Sequence, residues 1–203
     1  CLGIPASTAY FGVYSDGSVE GKTVLVTGGA GAVGHYAIQF AKLGGAKVIT
    51  TVSGPEKAVH AQSAGADAVI NYREGDVAEA IMKATDGNGV DRIVEVEFGG
   101  NLEVSNKVLR NNGVIATYGS MAAMEPKLPF YPMMFKGVTL RMFLVYLLSD
   151  EARQSTIAGV NEMIGNAKLI HAITETYDLS DIANAHKAVE SGKVIGNVVV
   201  QIK

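Results

Sequence analysis

Tryptophan is absent from the 203-residue sequence, and cysteine occurs once, as Cys1. A single cysteine excludes an internal disulfide framework, so a reducing, cytoplasmic setting is expected. The formal net charge of −3 leaves no excess of basic residues to bind nucleic acid or an anionic membrane. No signal-peptide pattern is present, and the longest apolar run, 138–148, contains Arg141 and falls short of the roughly 18 residues of a membrane span. The sequence therefore favours a protein that acts on small molecules, with neither nucleic acid nor a membrane as partner.

Short apolar, β-branched runs alternate with helical patterns along the first 120 residues. These runs predict strands at 24–27, 46–53, 67–72, 91–96 and 114–120. The segments between them predict helices at 32–43, 55–64, 76–85 and 102–109. Strands and helices that alternate at this spacing are typical of βαβ units, so we predict an α/β fold with a doubly wound parallel sheet of the Rossmann type.

The pattern changes after Ser120. Residues 121–135 are rich in methionine and proline and predict an irregular loop over the C-terminal edge of the sheet. The remaining predictions are an apolar β-prone run at 136–148, a helix at 149–166, a strand at 172–179, a helix capped by Ser180 and a final strand at 196–203.

A glycine-rich turn joins the first predicted strand to the first predicted long helix. Gly29-x-Gly31-x-x-Gly34 fits the G-x-G-x-x-G pattern, in which glycines allow a tight turn and backbone N–H groups approach a pyrophosphate at the helix N-terminus. A plain βα turn in a non-binding domain is the alternative, and the strand–turn–helix context disfavours it. The predicted pyrophosphate-binding residues are Gly29, Ala30, Gly31, Ala32, Val33 and Gly34.

The end of the second strand indicates which dinucleotide fits. An NAD site of this type has an acidic residue about 20 residues after the first glycine, but residues 47–55 contain neither Asp nor Glu. Ser53 and Lys57 stand there instead, and a hydroxyl and an ammonium group suit the 2′-phosphate of NADPH. Lys57 as a solvated helix lysine is the alternative. Tyr72, at the end of the third strand, is a candidate neighbour of the adenosine phosphate.

Other catalytic patterns are missing. Short-chain reductases need a Tyr-x-x-x-Lys pair, and none of the eight tyrosines has lysine four residues later. His35, His60, His171 and His186 have no metal-ligand spacing, so no metal is predicted. Glu95 and Glu97 could form a general-acid pair, but a solvated strand end is the favoured interpretation.

Seven segments in a fixed order carry a family resemblance: GIPASTAYFGV, VTGGAGAVGHYAIQFAKLGGAKVI, GADAVINYRE, GVDRIVEVEFGGNL, NGVIATYGS, LPFYPMMFKGVTL and AHKAVESGKVIGNVVV. Together they resemble the quinone oxidoreductases of the zeta-crystallin type, in the medium-chain dehydrogenase/reductase superfamily. The resemblance implies a linking helix at 1–20, a dinucleotide-binding domain at 21–170 and a segment at 171–203 that returns to a GroES-like catalytic domain. That catalytic domain is expected to lie largely outside this chain, which opens at Cys1.

The resemblance also implies roles for individual residues. The 2′-phosphate lysine of the family falls on Lys57 and its partner tyrosine on Tyr72. Further implied cofactor contacts are Gly119 and Ser120 near the nicotinamide ribose, Phe98 along the cofactor at the loop after the fourth strand, Phe143, Leu144 and Val145 near the carboxamide, and Asn197 near the pyrophosphate. Strand core is the alternative for residues 143–145. No residue of this chain is assigned a catalytic role.

The implied activity is hydride transfer from NADPH to a quinone or an α,β-unsaturated carbonyl. This chain alone is expected to bind NADPH and to turn over poorly. A zinc-type alcohol dehydrogenase and a non-catalytic NADPH- or RNA-binding crystallin-like protein are the alternatives. The resemblance further implies a homodimer that extends the sheet through residues 136–148.

Overall fold

The computed structural model describes residues 2–166 and 169–202, so Cys1, where the predicted linking helix begins, lies outside the described residues. The centre of the fold is a six-stranded parallel sheet. Its strands are β1 (Thr23–Val26), β2 (Lys47–Val52), β3 (Ala68–Asn71), β4 (Val90–Glu95), β5 (Leu109–Thr117) and β6 (Thr139–Met142). Their order across the sheet is β3-β2-β1-β4-β5-β6, and every pair is parallel. The predicted fold class is confirmed.

Helices cover both faces of the sheet. They are α1 (Ser7–Tyr14), α2 (Ala32–Leu43), α3 (Pro55–Ser63), α4 (Val77–Ala84), α5 (Phe98–Val108), α6 (Phe130–Phe135), α7 (Asp150–Asn166) and α8 (Ile182–Glu190). Side chains alternate between the faces along each strand. Val24 and Val26 therefore pack in one core with α1, α2 and α7, whereas Leu25 packs in the other with α4 and α5.

The C-terminal part forms a separate two-stranded parallel sheet of β7 (Ile173–Asp178) and β8 (Asn197–Gln201), with α8 between them. A hydrogen bond from the Gly196 N–H to the Ala30 carbonyl (3.0 Å) joins this unit to the glycine-rich turn. In the described residues, no helix is long and apolar enough to cross a membrane.

Helix α5 begins four residues earlier than predicted. The sequence pattern placed its start at residue 102. Gly99 and Gly100 precede that position, and glycine is unfavourable in a helix. Both glycines nevertheless lie in the first turn of α5. A Cβ on Gly99 would come within 2.4 Å of the Ala123 carbonyl oxygen. A glycine is therefore required where the helix approaches the next loop.

Three other boundaries differ from the predictions. Strand β5 starts at Leu109, where the sequence had predicted the end of a helix followed by a turn. A β-bulge separates the pair Leu109–Val90 from the pair Val114–Arg92, and Asn112 within it adopts φ 59°. Residues 130–135 form a short helix within the predicted loop, and its first turn tolerates Pro132 because no intrahelical hydrogen bond is lost there. Ser180 lies in a 3₁₀ turn and does not cap α8; its N-cap is Asp181, which makes no side-chain capping bond.

Candidate functional site

The glycine-rich turn leaves the N-terminus of α2 open. Gly28 adopts φ 67°, and its carbonyl accepts a hydrogen bond from Gly31 N–H (3.0 Å). Gly31 is the N-cap of α2 and contributes no side chain, so the first-turn N–H groups have neither intrahelical nor side-chain acceptors. A Cβ on Gly34 would lie 2.3 Å from the Gly28 carbonyl oxygen. The N–H groups of Gly28, Gly29 and Gly31 are thus used within the fold, by Thr51 and by the Gly28 carbonyl. The start of α2 presents the remaining N–H donors and the positive end of a helix dipole, which is the geometry that binds a pyrophosphate.

Lys57 lies in the first turn of α3, close to the end of β2. Its ammonium group donates a hydrogen bond to the Gly192 carbonyl oxygen at 3.0 Å, so it is held by the turn before β8 and is not a freely solvated side chain. Ser53 is half-buried between β2 and α3, and Tyr72, directly after β3, is 50% exposed. These three predicted residues follow the C-terminal ends of adjacent strands.

A cleft of about 370 Å³ opens beside the glycine-rich turn, and we call it the β2–β4 cleft. Leu25, Ile81 and Val104 supply apolar surface, and Tyr72 and Thr51 supply polar groups. Its lining is Leu25, Thr27, Gly28, Thr51, Tyr72, Val77, Ile81, Val96, Glu97, Asn101, Val104 and Ser105. The cleft lies at the carboxyl ends of β1, β2 and β4, where open α/β sheets bind their ligands. Its size and its mixture of groups suit an adenosine.

A second cavity, the β5–β6 pocket, has a volume of about 460 Å³. Five predicted cofactor residues come together in it: Phe98, Gly119, Ser120, Phe143 and Leu144. The remaining lining is Thr117, Tyr118, Met124, Pro126 and Met142. Val145 is not part of this pocket, because the chain turns into a 3₁₀ helix at Val145–Leu147 and places this residue in another cavity with Ile4 and Arg153.

Glu95 is fully buried, so the predicted solvated strand end is wrong for this residue. Its Oε1 atom accepts hydrogen bonds from Thr27 Oγ1 (2.7 Å), Glu97 N–H (2.7 Å) and Asn101 Nδ2 (2.9 Å). Burial raises the pKa of the Glu95 carboxyl, and these hydrogen bonds oppose that shift. The Glu95 side chain thus joins Thr27, directly before the glycine-rich turn, to the start of α5. Its contact with Glu97 is to the backbone N–H, so the two carboxyl groups do not form the general-acid pair considered from the sequence.

Asn197 lies beside the glycine-rich turn but does not point its amide at it. Its Nδ2 and its backbone N–H both donate to the Ala172 carbonyl oxygen, at 3.0 Å and 2.8 Å. The neighbouring Gly196 makes the direct contact, by its hydrogen bond to Ala30. A pyrophosphate contact from Asn197 would need a change of its rotamer, so that role stays a prediction.

The sequence analysis did not identify several residues that line the two cavities. Thr51 and Val96 stand at the carboxyl ends of β2 and β4, and the rule that ligands bind at those ends was a signal that pointed to them. Met124 and Met142 come from a loop and an edge strand whose positions depend on tertiary packing, and no local pattern identified them.

The histidines form one close pair. His35 and His60 stack with ring centroids 4.2 Å apart, and both ring nitrogens of His35 are buried without a hydrogen-bond partner in the described structure. Burial, and secondarily His60, lowers the pKa of His35 to about 4. Within residues 2–166 and 169–202, no three His, Cys, Asp or Glu side chains gather as metal ligands.

The sequence pattern of a family described as zinc-binding dehydrogenase matches residues 32–162, which is more than half of the chain. The chain belongs to the zinc-binding dehydrogenase family. As a member of that family it is similar to prostaglandin reductase 1 of Bos taurus, with 28% identity over 98% of this chain. It is also 29% identical, over 89% of its length, to a 2-haloacrylate reductase of Burkholderia. The chain spans 63% and 55% of the lengths of these two relatives.

Solved structures of similar fold include three complexes with NADPH. The mycobacterial protein Rv1454c complexed with NADPH superposes with a TM-score of 0.87 at 30% identity, covering 98% of this chain and 64% of that one. Escherichia coli quinone oxidoreductase complexed with NADPH superposes with a TM-score of 0.85 at 26% identity, covering 98% and 63%. The resemblance to quinone oxidoreductases inferred from the sequence is confirmed.

Proposed function

We propose that this chain is the NADP(H)-binding part of an oxidoreductase that transfers hydride to a quinone or an α,β-unsaturated carbonyl. One observation carries the proposal: an uncapped helix N-terminus follows the glycine-rich turn, while the end of β2 offers Ser53 and Lys57 and no carboxylate. A carboxylate at that position would repel a 2′-phosphate, and an ammonium group attracts it. The NADPH in the two related structures supports the same choice.

The residues of this chain bind and orient the cofactor. The N–H groups at the start of α2 hold the pyrophosphate, Lys57 and Ser53 hold the 2′-phosphate, and the β2–β4 cleft with Tyr72 holds the adenosine. In the β5–β6 pocket, Phe98, Phe143 and Leu144 supply apolar surface for the nicotinamide. When bound, NADPH supplies the hydride.

The wider organisation belongs to the same proposal. Residues 1–20 link two domains, 21–170 form the dinucleotide-binding domain, and 171–203 complete a GroES-like catalytic domain. The substrate is a small molecule, and the single cysteine supports a cytoplasmic location. Strand β6 is an edge of the sheet, and pairing with β6 of a second copy gives a homodimer.

Fluorescence titration of the 203-residue chain with NADPH and with NADH tests the cofactor assignment. We expect NADPH to bind about tenfold more tightly or better, since Lys57 adds a charge-assisted contact to the phosphate. Equal affinities would overturn the choice of NADP(H). If neither nucleotide binds, a non-catalytic role independent of the cofactor replaces the proposal. Stoichiometric zinc with alcohol oxidation in the protein would support the zinc-type alcohol dehydrogenase alternative.

A further inference from the structure

The carboxylate of Glu97 joins the first turn of α5 to the loop that follows β5. Its Oε2 atom accepts a hydrogen bond from Met121 N–H (2.8 Å), and its Oε1 atom accepts one from Ala122 N–H (3.0 Å). Oε1 also lies 3.4 Å from the Gly100 nitrogen, where it caps the helix. One side chain thus accepts three backbone N–H groups from two segments.

The loop held in this way forms part of the wall of the β5–β6 pocket. Met124 and Pro126, a few residues after the clamped amides, line that pocket together with Ser120. Met121 and Met124 are 77% and 75% exposed, so little apolar burial fixes this segment. Hydrogen bonds therefore fix where the wall lies: those to Glu97, and those of the Ser120 hydroxyl, which accepts from Gly99 N–H (2.9 Å) and donates to the Ala123 carbonyl (2.6 Å).

Glu97 itself lines the other cavity, the β2–β4 cleft. Its neighbour Phe98 lines the β5–β6 pocket. Residues 97 and 98 therefore lie between the two cavities. The Glu97 carboxylate connects the β2–β4 cleft, the proposed adenosine site, with a loop of the β5–β6 pocket, the proposed nicotinamide site.

We propose that Glu97 is a positioning residue that sets the outer wall of the β5–β6 pocket by clamping the 120–126 loop onto α5. An ionised carboxylate is required, because it offers acceptors only, and an amide in its place turns an N–H₂ group toward a backbone N–H. The inference rests on the proposed function, since it is the nicotinamide half of NADPH that meets this wall.

The test compares Glu97→Gln with native protein, using two probes. NADPH spans both cavities, whereas 2′,5′-ADP reaches only the adenosine side. We expect Glu97→Gln to weaken NADPH about tenfold and to change 2′,5′-ADP binding less than twofold. Glu97→Asp keeps the charge but is one methylene shorter, so it should weaken NADPH selectively as well. Glu103→Gln, an exposed site on the same helix, is the matched control and should change neither affinity.

Other results overturn the proposal. If Glu97 acts through its charge alone, Glu97→Gln tightens both ligands and Glu97→Asp has no effect. Equal weakening of both ligands places its role in the adenosine cleft. Hydrogen exchange without ligand gives an independent readout: the Met121 and Ala122 amides should exchange about tenfold faster in Glu97→Gln, and unchanged exchange refutes the clamp. Failure of native protein to bind either probe refutes the proposed function and leaves the exchange result to decide the clamp.

Discussion

The ammonium group of Lys57 and the carbonyl oxygen of Gly192 lie 3.0 Å apart, although 135 positions separate them in the sequence. The contact holds the extended lysine at the end of β2 and draws the C-terminal unit toward the predicted 2′-phosphate site. An ammonium group has three donors, so the hydrogen bond to Gly192 leaves two for a phosphate. A lysine fixed in this way loses less side-chain entropy when the phosphate binds.

Replacing Lys57 with alanine should remove most of the preference for NADPH. We expect Lys57→Ala to weaken NADPH by about tenfold or more and NADH by less than twofold, because the 2′-phosphate loses its charged partner. Titration of both nucleotides measures this, with Lys83→Ala, in the last turn of α4, as the matched control. A parallel loss for both nucleotides would assign Lys57 a purely structural role through Gly192.

A methyl group at Gly34 should open the glycine-rich turn. The added Cβ would lie 2.3 Å from the Gly28 carbonyl oxygen and 2.9 Å from the Gly29 Cα, and neither backbone atom can move alone. We expect Gly34→Ala to cost about 1–3 kcal/mol of unfolding free energy and to abolish measurable NADPH binding. Thermal unfolding and titration test this. Gly165→Ala, in α7 with no atom within 4 Å of its new Cβ, should retain both stability and binding.

Buried His35, stacked on half-buried His60, should make the protein sensitive to mild acid. The pKa of His35 is about 4 in the folded chain and near 6.5 when unfolded. Between these values the unfolded state binds more protons. The contribution of neutral His35 to the free energy of unfolding is therefore complete above about pH 7. It is lost as the pH drops toward 4, by on the order of 3 kcal/mol.

Urea unfolding at several pH values between 7.5 and 4.5 measures this loss. The variant His35→Leu should flatten the dependence in that window, whereas His186→Leu, at an exposed site on α8, should leave it intact. Identical pH profiles for His35→Leu and the native chain would contradict the assignment to His35.

Association should depend on the apolar surface beside β6. Leu147 is 80% exposed and Tyr146 is 61% exposed, next to a strand whose outer edge is unpaired in the sheet. A charge there disfavours edge pairing. We expect a dimer by light scattering, converted to monomer by Leu147→Asp. The equally exposed Ile202, changed to Asp, should leave the mass unchanged, and a native monomer would refute the proposed assembly.

The chain alone should bind NADPH but reduce quinones poorly. Among the described residues that line the β5–β6 pocket, Tyr118 has the one ionisable side chain, and burial together with Glu95 raises the pKa of its hydroxyl. Without a poised proton donor, a contribution of about 10²–10⁴ to the rate is missing. We expect the rate of NADPH oxidation by a soluble quinone in the presence of the chain to be within about tenfold of the rate in buffer without protein. Turnover of about 1 s⁻¹ or faster, as in ordinary enzymes, would contradict this.

Local patterns predicted the sheet well because its strands are short apolar runs bounded by glycines, and the G-x-G-x-x-G turn has a mechanism that depends on neighbouring residues only. They failed where a distant contact decides the conformation. Residue 99 must be glycine where α5 approaches Ala123, and the burial of Glu95 is compensated by hydrogen bonds from Thr27 and Asn101. Both cavities are built from loops after different strands, so their full lining required the fold.

The hydrogen bond between Gly196 and Ala30 also bears on synthesis at the ribosome. Both cores of the sheet are built largely from residues before 170, and they can collapse while the rest of the chain is still being made. The phosphate-binding turn receives its last support only when residue 196 has emerged, and a contact of such long range forms late. A nascent chain would therefore form its folded sheet first, and the glycine-rich turn would gain its contact with the C-terminal unit only after residue 196 has been made.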